Sequence, residues 1–166
     1  MTTTQTTLSK DEQDVLAHYD NITEALQTRD TQRAMAGYDE NVMVFDIAPP
    51  LRAIGKAHSE ETYDTAFAMT KGPWLCEWRE MKVKVIDATN AYVTGIFRQV
   101  YTVITGEQVS LTSRLTDIFE KKDGRWLVVH EHISTPVDMQ TGQAEMNADL
   151  DGRGVPFGEL ARSAAK

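Results

Sequence analysis

Apolar residues recur every three or four positions in the first part of the chain. Over residues 10–28 this spacing predicts an amphipathic helix whose buried stripe comprises Val15, Leu16, Tyr19, Ile22 and Leu26. The segment Ser9-Lys10-Asp11-Glu12 is an S-x-x-E capping box, in which a hydroxyl and a carboxylate satisfy free backbone donors where a helix begins. A short helix capped by Asp30 or Thr31 is predicted next, and a third helix over residues 56–69.

Outside the predicted helices, apolar and polar residues alternate with a period of two, which is the pattern of strands. A strand is predicted over residues 42–47, ending where Ala48-Pro49-Pro50 removes backbone donors. Four longer strands are predicted at 74–87, 91–105, 108–121 and 125–135. Asp123-Gly124 joins the last two strands and is a strong hairpin signal. Helices followed by an antiparallel meander predict an α+β domain whose helices pack on one face of a curved sheet.

We divide the chain into three parts. Residues 1–9 are a threonine-rich leader that we expect to be disordered, and residues 10–138 hold the α+β domain. Residues 139–166 form a glycine-containing tail with only weak helical signals. One interpretation is that this tail packs on a partner subunit.

The charge balance narrows the choice of partner. Seventeen Lys and Arg residues against 25 Asp and Glu residues leave a net charge of −8, which argues against binding to nucleic acid or to an anionic membrane surface. The single cysteine, Cys76, excludes an internal disulfide. No stretch has the length of a membrane span or the pattern of a secretory signal, so we expect a cytoplasmic protein.

The last predicted strand carries two histidines. Strict alternation puts one set of side chains in a single row, which would form a cavity wall with a few polar groups: Trp126, Val128, His130, His132 and Ser134. The alternative is that both histidines lie on the outer face of the sheet. His-x-His could supply two metal ligands, but no third ligand stands at a metal-binding spacing, so no metal site is expected.

Arg114 lies in the middle of the neighbouring predicted strand, in a row with hydroxyl-bearing residues such as Thr116. An arginine that faces a cavity is costly to bury unless it binds an acid or another planar acceptor. Arg114 would then anchor an acidic or carbonyl-bearing ligand. A solvent-facing arginine on the open side of the sheet is the alternative.

Asp46 is the candidate base, at the end of the otherwise apolar first strand. It is either a turn residue that caps the proline loop or a carboxylate in a dry pocket, where an apolar surround would make it a better proton acceptor. Tyr19, Trp78 and Trp126 would shape the same pocket, although packing in the core is the commoner role for such aromatic side chains.

Several segments resemble the SnoaL-like and ketosteroid-isomerase-like branch of the nuclear transport factor 2 superfamily. Within residues 10–138 they are Ala25-Leu26-Gln27-Thr28-Arg29-Asp30, Tyr38-Asp39-Glu40-Asn41-Val42, Arg114-x-Thr116 and the stretch from Asp123 to Pro136. The resemblance implies a cone-shaped α+β barrel that wraps a long helix, encloses a pocket and commonly forms a homodimer. Members include isomerases, polyketide cyclases, dehydratases, epoxide hydrolases and non-catalytic binding modules.

Under this resemblance Asp46 matches the base of ketosteroid isomerases, because it follows Asp30 by the same interval and precedes a proline-containing loop. The oxyanion donors of those enzymes do not carry over. Their helix tyrosine corresponds to Ile22, with Tyr19 one turn earlier, and their strand acid falls near Thr116.

The leading hypothesis is a small enzyme without a cofactor that removes a proton beside the carbonyl group of a hydrophobic metabolite, as isomerases, cyclases and dehydratases do. Asp46 would be the base, and Arg114 with His130 or His132 would stabilise the enolate oxygen. The substrate-binding residues would be Tyr19, Trp78, Thr116, Trp126 and Ser134. The alternatives are a non-catalytic small-molecule binding or assembly module, and an epoxide or ester hydrolase in which Asp46 activates water.

Overall fold

The computed structural model describes residues 7–148. Its elements are α1 (Lys10–Thr28), α2 (Thr31–Met35), β1 (Tyr38–Phe45), β2 (Ala53–Ile54), α3 (Lys56–Ala68), β3 (Thr70–Val85), β4 (Asn90–Val103), β5 (Gln108–Lys122) and β6 (Arg125–Ser134). Most of the predicted leader and residues 149–166 of the predicted tail lie outside the described residues, so both expectations stay predictions. None of these helices has the length and apolar character needed to cross a membrane.

All six strands belong to one sheet, in the order β2-β1-β6-β5-β4-β3. β1 is parallel to β6, and every other neighbouring pair is antiparallel. β2 and β3 form the two edges, so the sheet is a cone that does not close into a barrel. The predicted α+β architecture with a final four-strand meander is confirmed.

The capped helix α1 is the long helix that the sheet wraps. Its capping box is present, because the Glu12 amide donates to Ser9 Oγ at 3.2 Å and the Ser9 amide donates to Glu12 Oε2 at 2.7 Å. The predicted apolar stripe is buried in one core with side chains of the strands, among them Phe119 and Val128. Sequence periodicity therefore predicted this element correctly.

A bulge in β6 changes which side chains face the core. The register shifts after Val128, so that Phe119 pairs with Val128 but Ile118 pairs with His130. One residue of β6 is left without a partner, and such an insertion reverses the alternation of side chains along the strand. The inward-facing row of β6 therefore changes parity beyond Val128. β1 and β3 contain register shifts as well.

Two predicted boundaries are wrong. β1 begins at Tyr38 rather than at residue 42. Asp39 lies inside this strand, where its carboxylate accepts from Lys122 Nζ at 2.7 Å and from the Asn41 amide at 3.0 Å. β3 begins at Thr70 rather than at residue 74, so Gly72-Pro73 lies within this strand. β3 is an edge strand, where the missing amide hydrogen of a proline is tolerated.

The predicted hairpin between β5 and β6 is confirmed. Asp123 and Gly124 have φ values of 52° and 79°. A two-residue hairpin turn of type I′ needs positive φ at both central residues, and Asp-Gly is one of the few pairs that adopt it readily. The turn places the two strands that carry most of the candidate chemistry side by side.

Candidate active site

A cavity of about 330 Å³ opens between α3 and the inner face of the sheet. Its apolar lining includes Leu26, Val44, Trp74, Phe97, Tyr101, Leu111 and Ile133. Its polar lining residues are Asp46, His58, Ser59, Thr62, Tyr63, Gln99 and Glu131. A largely apolar hollow with a few polar groups is the usual composition of a small-molecule site, and this volume is near the lower end of the range for such sites.

Glu131 of β6 presents a carboxylate to this cavity. The Tyr38 hydroxyl donates to Glu131 Oε2 at 2.6 Å, and within residues 7–148 no group donates to Oε1. Burial raises the pKa of Glu131 to about 7, the hydrogen bond from Tyr38 opposes the rise, and the charge of Asp46 adds to it. Glu131 is therefore divided between its acid and base forms near neutral pH.

Asp117 of β5 is a second enclosed acid, directly opposite Glu131 in the ladder. Its side chain is 1% exposed. The Tyr19 hydroxyl donates to Asp117 Oδ2 at 2.7 Å, and Oδ1 has no partner among the described groups. Burial and the charge of Glu131 raise the pKa of Asp117 well above its ordinary value, against the hydrogen bond from Tyr19. A buried carboxylate ion with one donor is costly, so the neutral acid is favoured.

Tyr63 of α3 supplies a hydroxyl on the opposite wall of the cavity. Burial and the charges of Glu131 and Asp46 raise the pKa of Tyr63 well above its usual value, and a hydrogen bond with Tyr38 opposes this. Tyr63 is therefore a neutral hydroxyl at any physiological pH. A neutral phenol of this kind can donate a hydrogen bond to an oxygen of a bound molecule.

The raised pKa of Asp117 makes the fold less stable as the pH rises. The pKa of aspartate in an unfolded chain is about 3.9, whereas folded Asp117 keeps its proton to higher pH. Between these pKa values the folded chain binds more protons than the unfolded chain, so the free energy of unfolding falls with pH. Asp117→Asn removes this dependence and keeps an acceptor for Tyr19. We expect its stability relative to the wild type to increase by roughly 1–2 kcal/mol from pH 4 to pH 8.

Urea unfolding between pH 4 and pH 8 measures this difference. Asp39→Asn is the matched control, because the hydrogen bond from Lys122 lowers the pKa of Asp39. The stability that Asp39 contributes is present above its unfolded pKa and is lost only as the pH falls through the folded value. Asp39→Asn should therefore be less stable than the wild type by the same amount at every pH from 5 to 8. Parallel profiles for Asp117→Asn and the wild type would contradict the assignment.

Of the site residues predicted from the sequence, Asp46 is the one that lines the cavity. It follows β1 immediately, its side chain is exposed, and its Oδ1 accepts from the Ile47 amide at 2.6 Å. It also borders a more open hollow on the outer side of the sheet. Asp46 therefore lies at the mouth of the cavity as the predicted turn acceptor, and its exposure contradicts the dry surround predicted for it.

The structure does not bring His130 and His132 into the cavity. The bulge after Val128 turns Glu131 inward and both histidines outward, where their rings lie edge-on to Phe45 with centroids 5.0 Å and 5.7 Å away. The predicted single row is therefore wrong beyond Val128, and the alternative placement on the outer face is correct. Across residues 7–148, no group of three or more His, Cys, Asp or Glu side chains is arranged to hold a metal ion.

Arg114, Thr116 and Ser134 lie on the outer side as well. Arg114 is exposed and donates to the Thr135 carbonyl at 3.1 Å, so the predicted cavity anchor is wrong and the solvent-facing alternative is correct. Thr116, two residues further along the same strand, is also exposed. Ser134 lines the outer hollow together with His132.

Tyr19, Trp78 and Trp126 are on the inner side but do not line the cavity. Tyr19 is buried in the core. Trp78 stacks on Phe97 with ring centroids 3.9 Å apart, behind the cavity wall that Phe97 forms. Trp126 donates from Nε1 to Asp11 at 3.0 Å, near the start of α1. The commoner structural role of aromatic side chains therefore holds for these three.

Glu131 and Asp117 are the residues that sequence reasoning missed. In the sequence, each is the single carboxylate among the apolar or small residues that alternate with it along its strand. This isolation is the signal that could have identified both acids. Asp117 is also one residue from Thr116, near which the resemblance placed the strand acid, and it binds the Tyr19 hydroxyl. A shift of one residue in a strand exchanges the two faces of the sheet, so this small offset hid the acid.

These features define an α+β domain whose curved sheet encloses a ligand-sized, acid-lined cavity. The chain belongs to the SnoaL-like domain family, whose model matches residues 15–138. No curated protein matches the chain significantly.

Solved structures share this fold. A nuclear transport factor 2-like protein of unknown function from Pseudomonas putida KT2440 is 24% identical, with 84% of this chain and 96% of that chain covered and a TM-score of 0.74. A proposed scytalone dehydratase from Novosphingobium aromaticivorans is 16% identical over 76% and 85% of the chains, with a TM-score of 0.69. A ketosteroid isomerase-like protein from Erwinia carotovora atroseptica is 19% identical over 76% and 97%, with a TM-score of 0.66. Similarity at these identities shows the fold alone.

Proposed function

We propose that the protein is a small enzyme that transfers a proton beside the carbonyl group of a hydrophobic molecule, in an isomerisation, cyclisation or dehydration. The observation that carries this proposal is Glu131, a carboxyl group with a pKa of about 7 and a free oxygen in a mostly apolar cavity. A general base works best when its pKa lies near the operating pH. Membership of the SnoaL-like family and the similarity to isomerase-like and dehydratase-like structures agree with this reaction class.

In the proposed reaction, Glu131 Oε1 takes a proton from the carbon beside the carbonyl group. The electrons of the broken C–H bond form the enolate, and the Tyr63 hydroxyl, released from its hydrogen bond with Tyr38, donates to the enolate oxygen. Such a preorganised donor contributes roughly 10² to 10³ in rate. Tyr38 holds Glu131 in place through Oε2. Protonated Glu131 then returns the proton, either to another carbon in an isomerisation or to a departing hydroxyl in a dehydration.

Asp46, the base predicted from the sequence, is the second carboxylate of the cavity. Asp46 is more exposed to solvent than Glu131, and its carboxylate already accepts a hydrogen bond from the Ile47 amide. We therefore assign proton transfer to Glu131 and substrate binding to Asp46. The alternative is that Asp46 transfers the proton and Glu131 binds the substrate. The variants Glu131→Gln and Asp46→Asn distinguish these two assignments.

Hydrogen exchange in deuterated buffer tests the proposal. With 1-indanone and 3-cyclohexen-1-one as probes, we expect deuterium to enter the carbon beside the carbonyl faster than in buffer alone. The rate should rise with pH and level off above about 7, because the base form of Glu131 is required. Nuclear magnetic resonance of the probes at pH 5 to 9 measures this. Binding of both ketones without exchange would indicate a binding module instead.

A further inference from the structure

The charged groups on the cavity wall are acidic. Asp46 and Glu131 line it, and Asp117 lies directly opposite Glu131 in the ladder. No lysine or arginine lines this cavity in the part of the chain that the structure describes. His58 is the remaining basic side chain among the described lining residues. The cavity is therefore electronegative.

Three basic residues of the surrounding elements bind groups outside the cavity. Lys56 of α3 pairs with Glu40 at 3.5 Å, and Arg114 of β5 donates outward to the Thr135 carbonyl. Arg29 after α1 donates to backbone carbonyls at the start of β3. Arg52 borders Asp46 only in the outer hollow. Within residues 7–148 no lysine or arginine lines the cavity beside Glu131, and no group there donates to its Oε1. A bound molecule is left to supply that partner.

Aromatic rings complete the wall. Trp74 stacks on Tyr101 with centroids 4.5 Å apart, and both line the cavity with Phe97 and Tyr63. The faces of such rings carry partial negative charge and attract organic cations, tryptophan most strongly. Carboxylates and aromatic faces in one hollow therefore favour the same kind of ligand.

We infer that the substrate carries a basic nitrogen, whose protonated form pairs with Asp46 at the mouth while the carbonyl-bearing part of the molecule lies against Glu131. This inference rests on the proposed function, because it takes the cavity to be the substrate site. An anionic substrate would meet the like charges of Asp46 and Glu131, with no lysine or arginine among the described lining residues. Coulomb repulsion between like charges is stronger in a partly dry cavity than in water.

Three probes of similar shape and different charge test the inference by calorimetric titration of the full chain. They are 2-phenylethylamine, 2-phenylethanol and phenylacetate. We expect the amine to bind at least tenfold more tightly than the alcohol and phenylacetate to bind least. Phenylacetate or the alcohol binding as tightly as the amine would overturn the inference.

The pH dependence of binding is a second measurement. From pH 6 to pH 8 the amine should bind more tightly as Glu131 ionises, while the affinity for the alcohol stays constant. The groups around Glu131 are Tyr38, Tyr63, Asp46 and Asp117. The tyrosines stay neutral over this range, and ionisation of Asp117 would act in the same direction. A flat profile for the amine would count against the inference.

Variants separate charge recognition from shape. Asp46→Asn should weaken amine binding roughly tenfold, as expected for a lost hydrogen bond to a charged group, and leave the alcohol unaffected. Asp123→Asn is the control, because it removes one exposed charge from the β5–β6 turn, where asparagine also adopts positive φ. Equal losses for amine and alcohol in Asp46→Asn would overturn the assignment. If this variant fails to fold, the wild-type probe series decides.

This inference and the proposed function fail separately. Preference for the amine together with no deuterium exchange into the ketones would support the ligand class and remove the proposed reaction. Exchange into the ketones without preference for the amine would support the reaction and remove the ligand class.

Discussion

Glu131→Gln is expected to lower the rate of deuterium exchange into the ketone probes by roughly 10² to 10⁴, the usual contribution of a general base. Glutamine has the same shape, and its amide oxygen still accepts from the Tyr38 hydroxyl, which donates at 2.6 Å in the wild type. The cavity should therefore keep its form and bind the ketones with unchanged affinity. Exchange rates at pH 8 and binding by calorimetry measure the two quantities separately.

Two variants complete this comparison. Asp46→Asn should reduce exchange into these neutral ketones by less than tenfold, and Asp123→Asn in the distant turn should not change it.

Glu131→Gln should also be more stable than the wild type at pH 8, because it removes a buried charge whose pKa is raised to about 7. A loss of activity with a gain in stability cannot result from unfolding. Full activity in Glu131→Gln with a large loss in Asp46→Asn would instead identify Asp46 as the base.

Gly37→Ala is expected to destabilise the fold by about 3 kcal/mol, since overpacking of a core has that magnitude. A Cβ atom at Gly37 would lie 2.3 Å from His18 Nδ1. The His18 ring cannot move aside easily, because it is buried and packs edge-on against Tyr19, Tyr38 and Phe119 with centroids 5.2 to 5.6 Å away. Burial also lowers the pKa of His18 to about 4, so the ring is a neutral core group at pH 7.

A double-mutant cycle with His18→Ala provides the control for this prediction. When the ring is absent, the contact at 2.3 Å with His18 Nδ1 is removed, and Gly37→Ala should cost less than about 1 kcal/mol. Urea unfolding of the wild type, both single variants and the double variant at pH 7 measures the coupling. An equal cost of Gly37→Ala in both backgrounds would show that the contact with His18 is not the cause.

The sequence predicted local structure well wherever a local pattern decides it. Residues 10–28 form one helix with the predicted cap, because the apolar period and the Ser9-Glu12 pair act within a few residues of each other. Asp123-Gly124 forms the predicted hairpin turn for the same reason. The predicted start of the first strand was four residues too late, because Lys122, the partner of Asp39, lies far along the chain and no local signal announces it.

The candidate site was predicted only in part. Asp46 was found because a polar residue before a proline loop is visible in the sequence. Glu131 was assigned to the wrong face, since the register shift after Val128 depends on how β6 pairs with β5 and not on the residues of β6 alone. Strict alternation placed His130 and His132 in the inner row, and the register shift turned both to the outer face.

By itself, the sequence determined the order of helices and strands, the capped first helix, the hairpin and the α+β class, because these follow from periodicity and turn chemistry over short stretches. Only the tertiary structure decided which side chains share the cavity. Pairing between strands sets the parity of each row, and one inserted residue exchanges the two faces of a strand. Burial, which raises the pKa values of Glu131 and Asp117, likewise exists only once distant segments have packed together.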